Sequence, residues 1–262
     1  MSNVALRLEA VSHTFHAGTL NEVRALDAVE LELERGTFTA VLGTNGSGKS
    51  SLLNAIAGSL AVTEGHIVLD GREITQWPEA RRARLISRVF QNPFTGTAAE
   101  LTVAENLALA EGRGGRRWLR RTLDRERRAA LENTVAELGM GLEDRLDTPI
   151  GVLSGGQRQA LTVLMATMVR PSLLLLDEHT AALDPRSAEQ VIRLTHRAVT
   201  AGSLTTLMVT HSLTEAVGLG DRVLVMHRGR VAYDLRETRR RRVDARAPTR
   251  TLAGPSAGPV GR

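Results

Sequence analysis

The sequence predicts an α/β fold in which a mostly parallel sheet carries helices on both faces. Three observations support this fold class. A glycine-rich loop at residues 43–50 lies between an apolar stretch and a stretch with helical spacing. Four consecutive leucines at residues 173–176 run into two carboxylates. Short apolar runs at residues 205–209 and 222–226 alternate with helical stretches, as expected for a parallel sheet built from β–α units.

The strands before this core are predicted from alternation of apolar and polar residues. Residues 4–15 alternate well enough to indicate an edge strand. Residues 29–34 alternate valine or leucine with glutamate, which is typical of a strand with one wet face. Residues 37–42 form an apolar strand that enters the glycine-rich loop. Shorter strands are expected at residues 67–69 and 86–90.

The middle of the chain has a different pattern. From about residue 93 to residue 168 the spacing is helical, most clearly at residues 103–110 and 125–138. We therefore expect a helical insertion into the β–α core. A last short strand at residues 231–235 completes a domain of residues 1–235, and the arginine-, proline- and glycine-rich residues 236–262 are predicted to be a disordered basic tail.

Composition and charge exclude several classes of protein. The 262 residues include no cysteine, which excludes disulfides, thiolate catalysis and cysteine zinc sites. No apolar run approaches the ~18–20 residues that span a bilayer, and the N-terminus lacks the features of a signal peptide, so the cytosol is favoured.

The positive charge behind the net value of +5 is concentrated in residues 113–128 and 236–262, each with eight arginines and two acidic residues. This is not the pattern of a uniformly basic nucleic-acid-binding protein; a solvated surface or contact with anionic lipid headgroups are the alternatives for these segments.

The glycine-rich loop, GTNGSGKS, matches the phosphate-binding pattern GxxxxGK[ST] and contains Lys49, the one lysine of the chain. Backbone N–H groups of such a loop form an anion site at a helix N-terminus. A slim ammonium group passes between phosphate oxygens where a planar guanidinium is too wide. We expect Lys49 to contact the β- and γ-phosphates, Ser50 to bind Mg²⁺ and Ser51 to meet the α-phosphate. The candidate phosphate-binding residues are Gly43, Asn45, Gly46, Ser47, Gly48, Lys49, Ser50 and Ser51.

Two carboxylates follow the strand of four leucines. In α/β sheets, ligands bind at the C-terminal ends of the strands. Asp177 is therefore predicted to be the Mg²⁺ partner of Ser50. Glu178 is predicted to polarise the attacking water as a general base.

A second anion site is predicted at LSGGQ, residues 153–157. Ser154 is placed to cap the helix that follows, and two glycines at the helix start leave N–H groups for an anion. One nucleotide per chain has one γ-phosphate, but the chain now has two phosphate sites. We therefore assign the second site to a nucleotide held by another subunit.

The order of these motifs resembles that in the nucleotide-binding subunits of ABC transporters, over residues 4–235. The resemblance implies a P-loop NTPase core, an N-terminal antiparallel β subdomain and an inserted helical subdomain at about residues 93–168. It implies ATP and Mg²⁺ as cofactors and a head-to-tail dimer that encloses two ATP. It also implies transmembrane permease subunits and a separate substrate-binding protein as partners, no nucleic acid, and a peripheral location on the cytoplasmic face of the cell membrane.

Further site residues follow from the resemblance. Phe15 takes the place of an aromatic residue that stacks on adenine. Gln91 matches a glutamine that senses Mg²⁺ and the attacking water, and His211 matches a histidine that contacts the γ-phosphate. Asp184 belongs to a loop that crosses the dimer interface. The implied catalytic residues are Glu178, His211 and Gln91, the implied metal ligands are Ser50, Gln91 and Asp177, and the implied contacts of the second subunit are Ser154, Gly155, Gly156 and Gln157.

One departure narrows the resemblance. His179 follows Glu178 where most of the family has proline. Together with residues 91–93, 96–98 and 164–168, this departure makes the chain resemble a subfamily assigned to the import of amino acids, tryptophan or tyrosine. The expected function is the ATP-hydrolysing subunit of an importer of a small solute such as an amino acid. Three alternatives remain: an ATPase of a non-transport enzyme assembly, an ABC ATPase of translation or DNA repair, and a non-catalytic binding module, against which the presence of Asp177 and Glu178 argues.

Overall fold

The computed structural model describes residues 3–113 and 125–236. Of the basic tail predicted for residues 236–262, only Arg236 is described, and it belongs to the last strand instead of a tail. Residues 237–262 and the centre of the basic segment 113–128 lie outside the described residues. Within the two described parts, none of the helices combines the length and hydropathy that crossing a bilayer requires.

The described chain alternates strands and helices as the sequence predicts. In order, the elements are β1 (Val4–Phe15), β2 (Val23–Glu34), β3 (Phe38–Gly43), α1 (Lys49–Ala57), β4 (Glu64–Leu69), β5 (Arg72–Glu73), α2 (Glu79–Arg82), β6 (Ile86–Val89), α3 (Val103–Glu111), α4 (Arg125–Ala136), α5 (Gly155–Met168), β7 (Leu173–Asp177), α6 (Pro185–Gly202), β8 (Thr206–Val209), α7 (Leu213–Leu219), β9 (Arg222–His227) and β10 (Arg230–Arg236). Two short 3₁₀ turns, Glu143–Arg145 and Ile150–Val152, precede α5.

The strands form two sheets. The first is antiparallel and has the order β2-β1-β4-β5. The second has the order β10-β9-β3-β8-β7-β6, and its strands are parallel except for β10, which pairs antiparallel with β9. The predicted α/β class, with a mostly parallel core sheet and a separate N-terminal antiparallel sheet, is confirmed.

The prediction of an edge strand for residues 4–15 is wrong. β1 is an interior strand that pairs with β2 on one side and with β4 on the other. Its pairing shifts register on both sides around Ala10, which has a φ of 50°. Alternation of side chains reports which face is buried, but it does not report how many neighbours a strand has. That number depends on where β4 docks.

The core sheet is buried on both faces, and β7 shows this most clearly. Leu173 and Leu175 contact the apolar cluster shared with α1 and the antiparallel sheet. Leu174 and Leu176 contact the cluster formed with the helices of the opposite face. All four side chains are fully buried. Successive side chains of a strand point to opposite faces, so a continuous apolar run is the expected sequence of such a strand.

The helix that begins at Lys49 is anchored at its other end by Arg82. This guanidinium is 2% exposed. It donates to the backbone carbonyls of Ala55 and Ile56 at 2.7 and 2.9 Å, and to that of Thr75 at 2.8 Å. The last carbonyls of a helix have no partner within the helix. Arg82 therefore satisfies the C-terminal end of α1 and holds the helix in place.

Candidate functional site

The C-terminal ends of β3, β7 and β8 meet at one edge of the core sheet. Val209 is paired with Val41 of β3 and with Asp177 of β7. Beyond the strands, the N–H of Glu178 donates to the carbonyl of Val209 at 2.9 Å, and the N–H of Thr210 donates to that of Val41 at 3.2 Å. The phosphate loop, the two carboxylates and the loop carrying His211 therefore lie together.

The turn into α1 depends on glycine. Gly48 has a φ of 101°, and a Cβ atom there would lie 2.5 Å from the carbonyl oxygen of Ala25. Leu52 donates to the carbonyl of Gly48, which closes the first turn of the helix. The preceding N–H groups, including those of Ser50 and Ser51, have no acceptor within the helix, and Gly48 supplies no side-chain cap. The start of α1 thus offers free backbone donors to a phosphate.

Lys49 lies inside this loop. Its side chain is buried, and Nζ donates to the carbonyls of Gly43 and Thr44 at 2.8 and 3.0 Å. Burial lowers the pKa of Lys49, while the charges of Glu178 and Asp177 oppose that shift. A single ammonium group is therefore placed between the phosphate loop and the two carboxylates.

Arg88 is a site residue that the sequence analysis missed. Its Nη2 donates to Oδ2 of Asp177 at 2.6 Å, and its Nη1 donates to Oδ1 of Asn54 at 2.7 Å. Both charged side chains are largely buried, and the guanidinium lies 4.7 Å above the ring of Phe90. A charged residue within a short buried strand was the available signal. Its partner could not be identified without knowing that β6 lies beside β7.

Glu178 and His211 are in direct contact. Nε2 of His211 lies 2.5 Å from Oε1 of Glu178. Glu178 has a φ of 44°, which is uncommon for a residue with a side chain. Its carboxylate is mostly buried, whereas His211 is about half exposed. The exposed part of His211 is therefore accessible to a ligand, while the carboxylate of Glu178 is held mostly within the protein.

His179, beside Glu178, is turned into the protein. It is 1% exposed, and its Nε2 lies 3.1 Å from the hydroxyl of Thr195 on α6. Burial lowers the pKa of His179 to about 4. The residue that departs from the family pattern is thus a neutral interior side chain that anchors the loop after β7.

The LSGGQ segment begins α5 with reciprocal capping bonds. Oγ of Ser154 accepts from the N–H of Gln157, and Oε1 of Gln157 accepts from the N–H of Ser154, both at 3.3 Å. A Cβ atom on Gly156 would lie 2.6 Å from Oγ of Ser187, so this glycine allows α5 to approach the start of α6. Gly155 is adjacent and partly buried. Ser154 is exposed, so the helix start is accessible to another molecule.

The other candidate residues occupy accessible positions. Gln91 follows β6 at the same sheet edge as Asp177 and is exposed. Phe15 ends β1 with 38% of its surface exposed, and its ring meets that of His13 edge-on at 4.5 Å. Asp184 caps α6 by accepting from the N–H of Ser187 at 3.1 Å. The hydroxyl of Ser187, and next its N–H, lower the pKa of Asp184. The exposed members of the phosphate loop are Thr44, Asn45, Gly46 and Ser50.

The oxygen ligands at this edge of the sheet suit a cation that is also coordinated by phosphate. Over residues 3–113 and 125–236, no group of three or more His, Cys, Asp or Glu side chains could hold a metal ion alone. Mg²⁺ at nucleotide sites takes one or two carboxylates together with phosphate oxygens and water. The carboxylate of Asp177 and the hydroxyl of Ser50 are oxygen donors of this kind. The residues therefore fit Mg²⁺ bound with a nucleotide.

Known proteins are similar to this chain in sequence and in fold. The chain matches the ABC transporter family over residues 26–181. It is 43% identical to a tyrosine transport ATP-binding protein of Clostridioides difficile over 80% of this chain and 83% of the relative. It is 36% identical to the thiamine import ATP-binding protein ThiQ of Yersinia pseudotuberculosis, over 78% and 82% of the two chains.

Solved structures of ABC transporter cassettes are similar to this chain in fold. A dimeric post-hydrolysis state of the ATP-binding cassette MJ0796, bound to ADP and Pi, superimposes with a TM-score of 0.74 at 26% identity, covering 88% of this chain and 98% of that one. CbiO1 of Clostridium perfringens, part of the ABC transporter complex cbiONQ, gives a TM-score of 0.75 at 26% identity, covering 93% and 92%. The chain therefore belongs to the ABC transporter family and is an ATP-hydrolysing subunit of such a transporter.

Proposed function

We propose that the chain powers the import of a small solute such as an amino acid, as one half of a head-to-tail homodimer that encloses two ATP molecules. The observation that carries the proposal is the presence of two helix starts suited to phosphate, at Lys49 and at Ser154, in a chain with one set of catalytic carboxylates. The similarity to ATP-binding proteins of tyrosine transport and thiamine import supports the import direction. The first of these relatives supports an amino acid as the solute.

In this proposal, each nucleotide lies between two copies of the chain. Residues 43–51 of one copy bind the phosphates, and Phe15 of the same copy stacks on adenine. Residues 154–157 of the other copy contact the γ-phosphate from the opposite side. Asp184, which caps α6 beside Gly156, belongs to the loop that crosses the interface. The dimeric cassette structure bound to ADP and Pi supports this arrangement.

Hydrolysis then depends mainly on positioning and charge. Asp177, Ser50 and Gln91 would hold Mg²⁺, and the bound ion would neutralise charge on the phosphates. Glu178 orients the attacking water and accepts its proton on the carboxylate. His211 holds the carboxylate of Glu178 through Nε2 and faces the γ-phosphate. Lys49 stabilises the charge that develops between the β- and γ-phosphates.

The partners of this dimer are transmembrane permease subunits and a separate substrate-binding protein, with the dimer on the cytoplasmic face of the membrane. Closure of the dimer around ATP drives the permease, and hydrolysis reopens it. Co-purification from detergent-solubilised membranes tests this part. Recovery of a membrane protein of permease type supports transport, whereas recovery of soluble enzyme subunits alone contradicts it.

The shared pocket is tested with two inactive chains in a Glu178→Gln background, which should slow hydrolysis enough to trap a closed dimer. One chain carries Lys49→Ala and the other Ser154→Arg. Only a mixed dimer has one site in which the phosphate loop and residues 154–157 are both intact. We expect ATP-dependent dimers, with one tightly bound ATP each, in the mixture and in neither chain alone. If the mixture forms no such dimers, the shared pocket is wrong.

A further inference from the structure

We propose that Glu215 is a positioning residue for hydrolysis, because its carboxylate joins the loop that follows Glu178 to the loop that carries His211. The inference rests on the proposed function, in which Glu178 and His211 act together on the attacking water. Glu215 lies on α7. Among the described residues, its carboxylate hydrogen-bonds to Thr180 and Thr210, and not to the phosphate loop or to Asp177.

Both oxygens of the Glu215 carboxylate are used. Oε1 accepts from the hydroxyl of Thr180 at 2.9 Å, and Oε2 accepts from the hydroxyl of Thr210 at 2.7 Å. The two threonines are 6% and 4% exposed, respectively. Hydrogen bonds to an ionised acceptor are stronger than neutral ones, and they are screened little at such buried positions.

Each threonine is tied closely to a catalytic candidate. Thr180 lies in the turn closed by the hydrogen bond from the N–H of Ala181 to the carbonyl of Glu178, at 3.0 Å. Thr210 immediately precedes His211, and its own N–H is held by β3. A carboxylate that fixes both hydroxyls therefore also limits how far Glu178 and His211 can separate.

The direction of each hydrogen bond shows why a carboxylate is needed. The hydroxyl of Thr210 accepts from the N–H of Ser212 at 3.0 Å, so its proton is free to point at Glu215. The N–H of Glu215 donates to Oγ of Ser212 at 3.2 Å, which fixes the start of α7. A carboxylate offers an acceptor to both threonines, whereas an amide offers one acceptor and one donor. Glutamine would fill the same space but could not accept both bonds.

The geometry of Glu178 makes this support necessary. Its φ of 44° is a conformation that the surrounding structure must maintain. His211 is half exposed, so packing alone does not fix its ring. A misplacement of about 1 Å at a reacting group can cost roughly 100-fold in rate.

The first test is kinetic, with the full chain. Glu215→Gln should lower kcat by roughly tenfold or more, while the Kd for ATP changes by less than about twofold, because the phosphate loop is untouched. Thr210→Val should give a similar loss, the double variant should lose no more than either single variant, and Thr210→Ser should restore the rate. Glu105→Gln is the matched control, since Glu105 occupies the same position in α3 and accepts from the hydroxyl of Thr102.

The second test is hydrogen exchange, which does not depend on activity. In Glu215→Gln, the amides of Ala181 and Ser212 should exchange roughly tenfold faster, because a charged hydrogen bond is lost, while those of α1 stay unchanged. Wild-type kcat in Glu215→Gln, additive losses in the double variant, or unchanged exchange in both loops overturns the inference. If Glu178→Gln hydrolyses ATP at the wild-type rate, the base assignment fails instead, and the exchange result still decides the role of Glu215.

Discussion

Arg88 and Asp177 form an ion pair across two neighbouring parallel strands, with 2.6 Å between Nη2 and Oδ2. The same guanidinium reaches Asn54 on α1, the helix that begins at Lys49. One arginine thus connects the candidate metal ligand to the helix of the phosphate loop. It also offsets part of the negative charge that Asp177 and Glu178 bring to the site.

Replacing Arg88 with methionine should lower the free energy of unfolding by roughly 1–3 kcal/mol, because a largely buried carboxylate loses its partner while keeping some contact with solvent. The loss should be smaller with Mg²⁺ and ADP present, since a cation then neutralises Asp177. Urea denaturation with and without Mg²⁺-ADP measures both values. Arg222→Met is the control, because Arg222 pairs with Asp234 away from the site and its loss should not depend on nucleotide. Equal losses for Arg88→Met under the two conditions would contradict the link to the metal site.

Lys49→Arg should weaken ATP binding by about tenfold or more, although the charge is retained, because a planar guanidinium cannot occupy the space of the ammonium group. Nζ is enclosed by the carbonyls of Gly43 and Thr44, and the side chain is buried. Titration with a fluorescent ATP analogue gives the Kd. Arg193→Lys, an exposed exchange within an ion pair on α6, should leave binding unchanged. Wild-type affinity in Lys49→Arg would show that the shape of the cation is unimportant.

Glu178→Gln should bind ATP with near wild-type affinity but hydrolyse it about 100-fold or more slowly, because an amide cannot accept the proton of the attacking water. The variant should accumulate as an ATP-bound dimer, which size-exclusion chromatography detects. Glu189→Gln, on an exposed turn of α6, is the control and should turn over normally. A Glu178→Gln protein that hydrolyses ATP at the wild-type rate would remove Glu178 from the role of base.

The burial of His179 predicts a pH dependence of stability. Its pKa falls to about 4 in the folded protein, whereas an unfolded histidine titrates near 6.5. The neutral side chain therefore contributes its full stability above pH ~6.5, and this contribution is lost as the pH falls from ~6.5 to ~4, because the unfolded state binds the proton more readily.

The test compares unfolding free energies at pH 7 and pH 4. His179→Gln retains a hydrogen-bonding group for Thr195 but cannot titrate, so its decrease in stability should be about 3 kcal/mol smaller than that of the wild type. His196→Gln is the control. His196 is exposed and lies on α6 next to Thr195, so this variant should show the full wild-type decrease in stability. If both variants show the same decrease, His179 is not the titrating group.

Features that depend on near neighbours in the chain were predictable. The glycine-rich loop, the capping serine of α5 and the buried strand of four leucines each rest on residues within one or two turns, where backbone geometry and periodicity dictate the structure. The relative placement of β7 and the phosphate loop followed from the general rule that parallel strands present their ligands at one edge. The α/β class and the candidate residues Lys49, Asp177 and Glu178 were therefore available from the sequence.

Contacts between side chains that are distant in the sequence depend on the tertiary fold. The pairs Arg88–Asp177 and Glu215–Thr180, and the bonds from Arg82 to α1, join residues that no local pattern connects. The interior position of β1 and the burial of His179 are of the same kind. Each depends on strand order and on how helices dock, which are set by burial of apolar surface summed over the whole chain. Local order along the chain thus specifies the reactive groups of the candidate site, and packing brings together the residues that hold those groups in position.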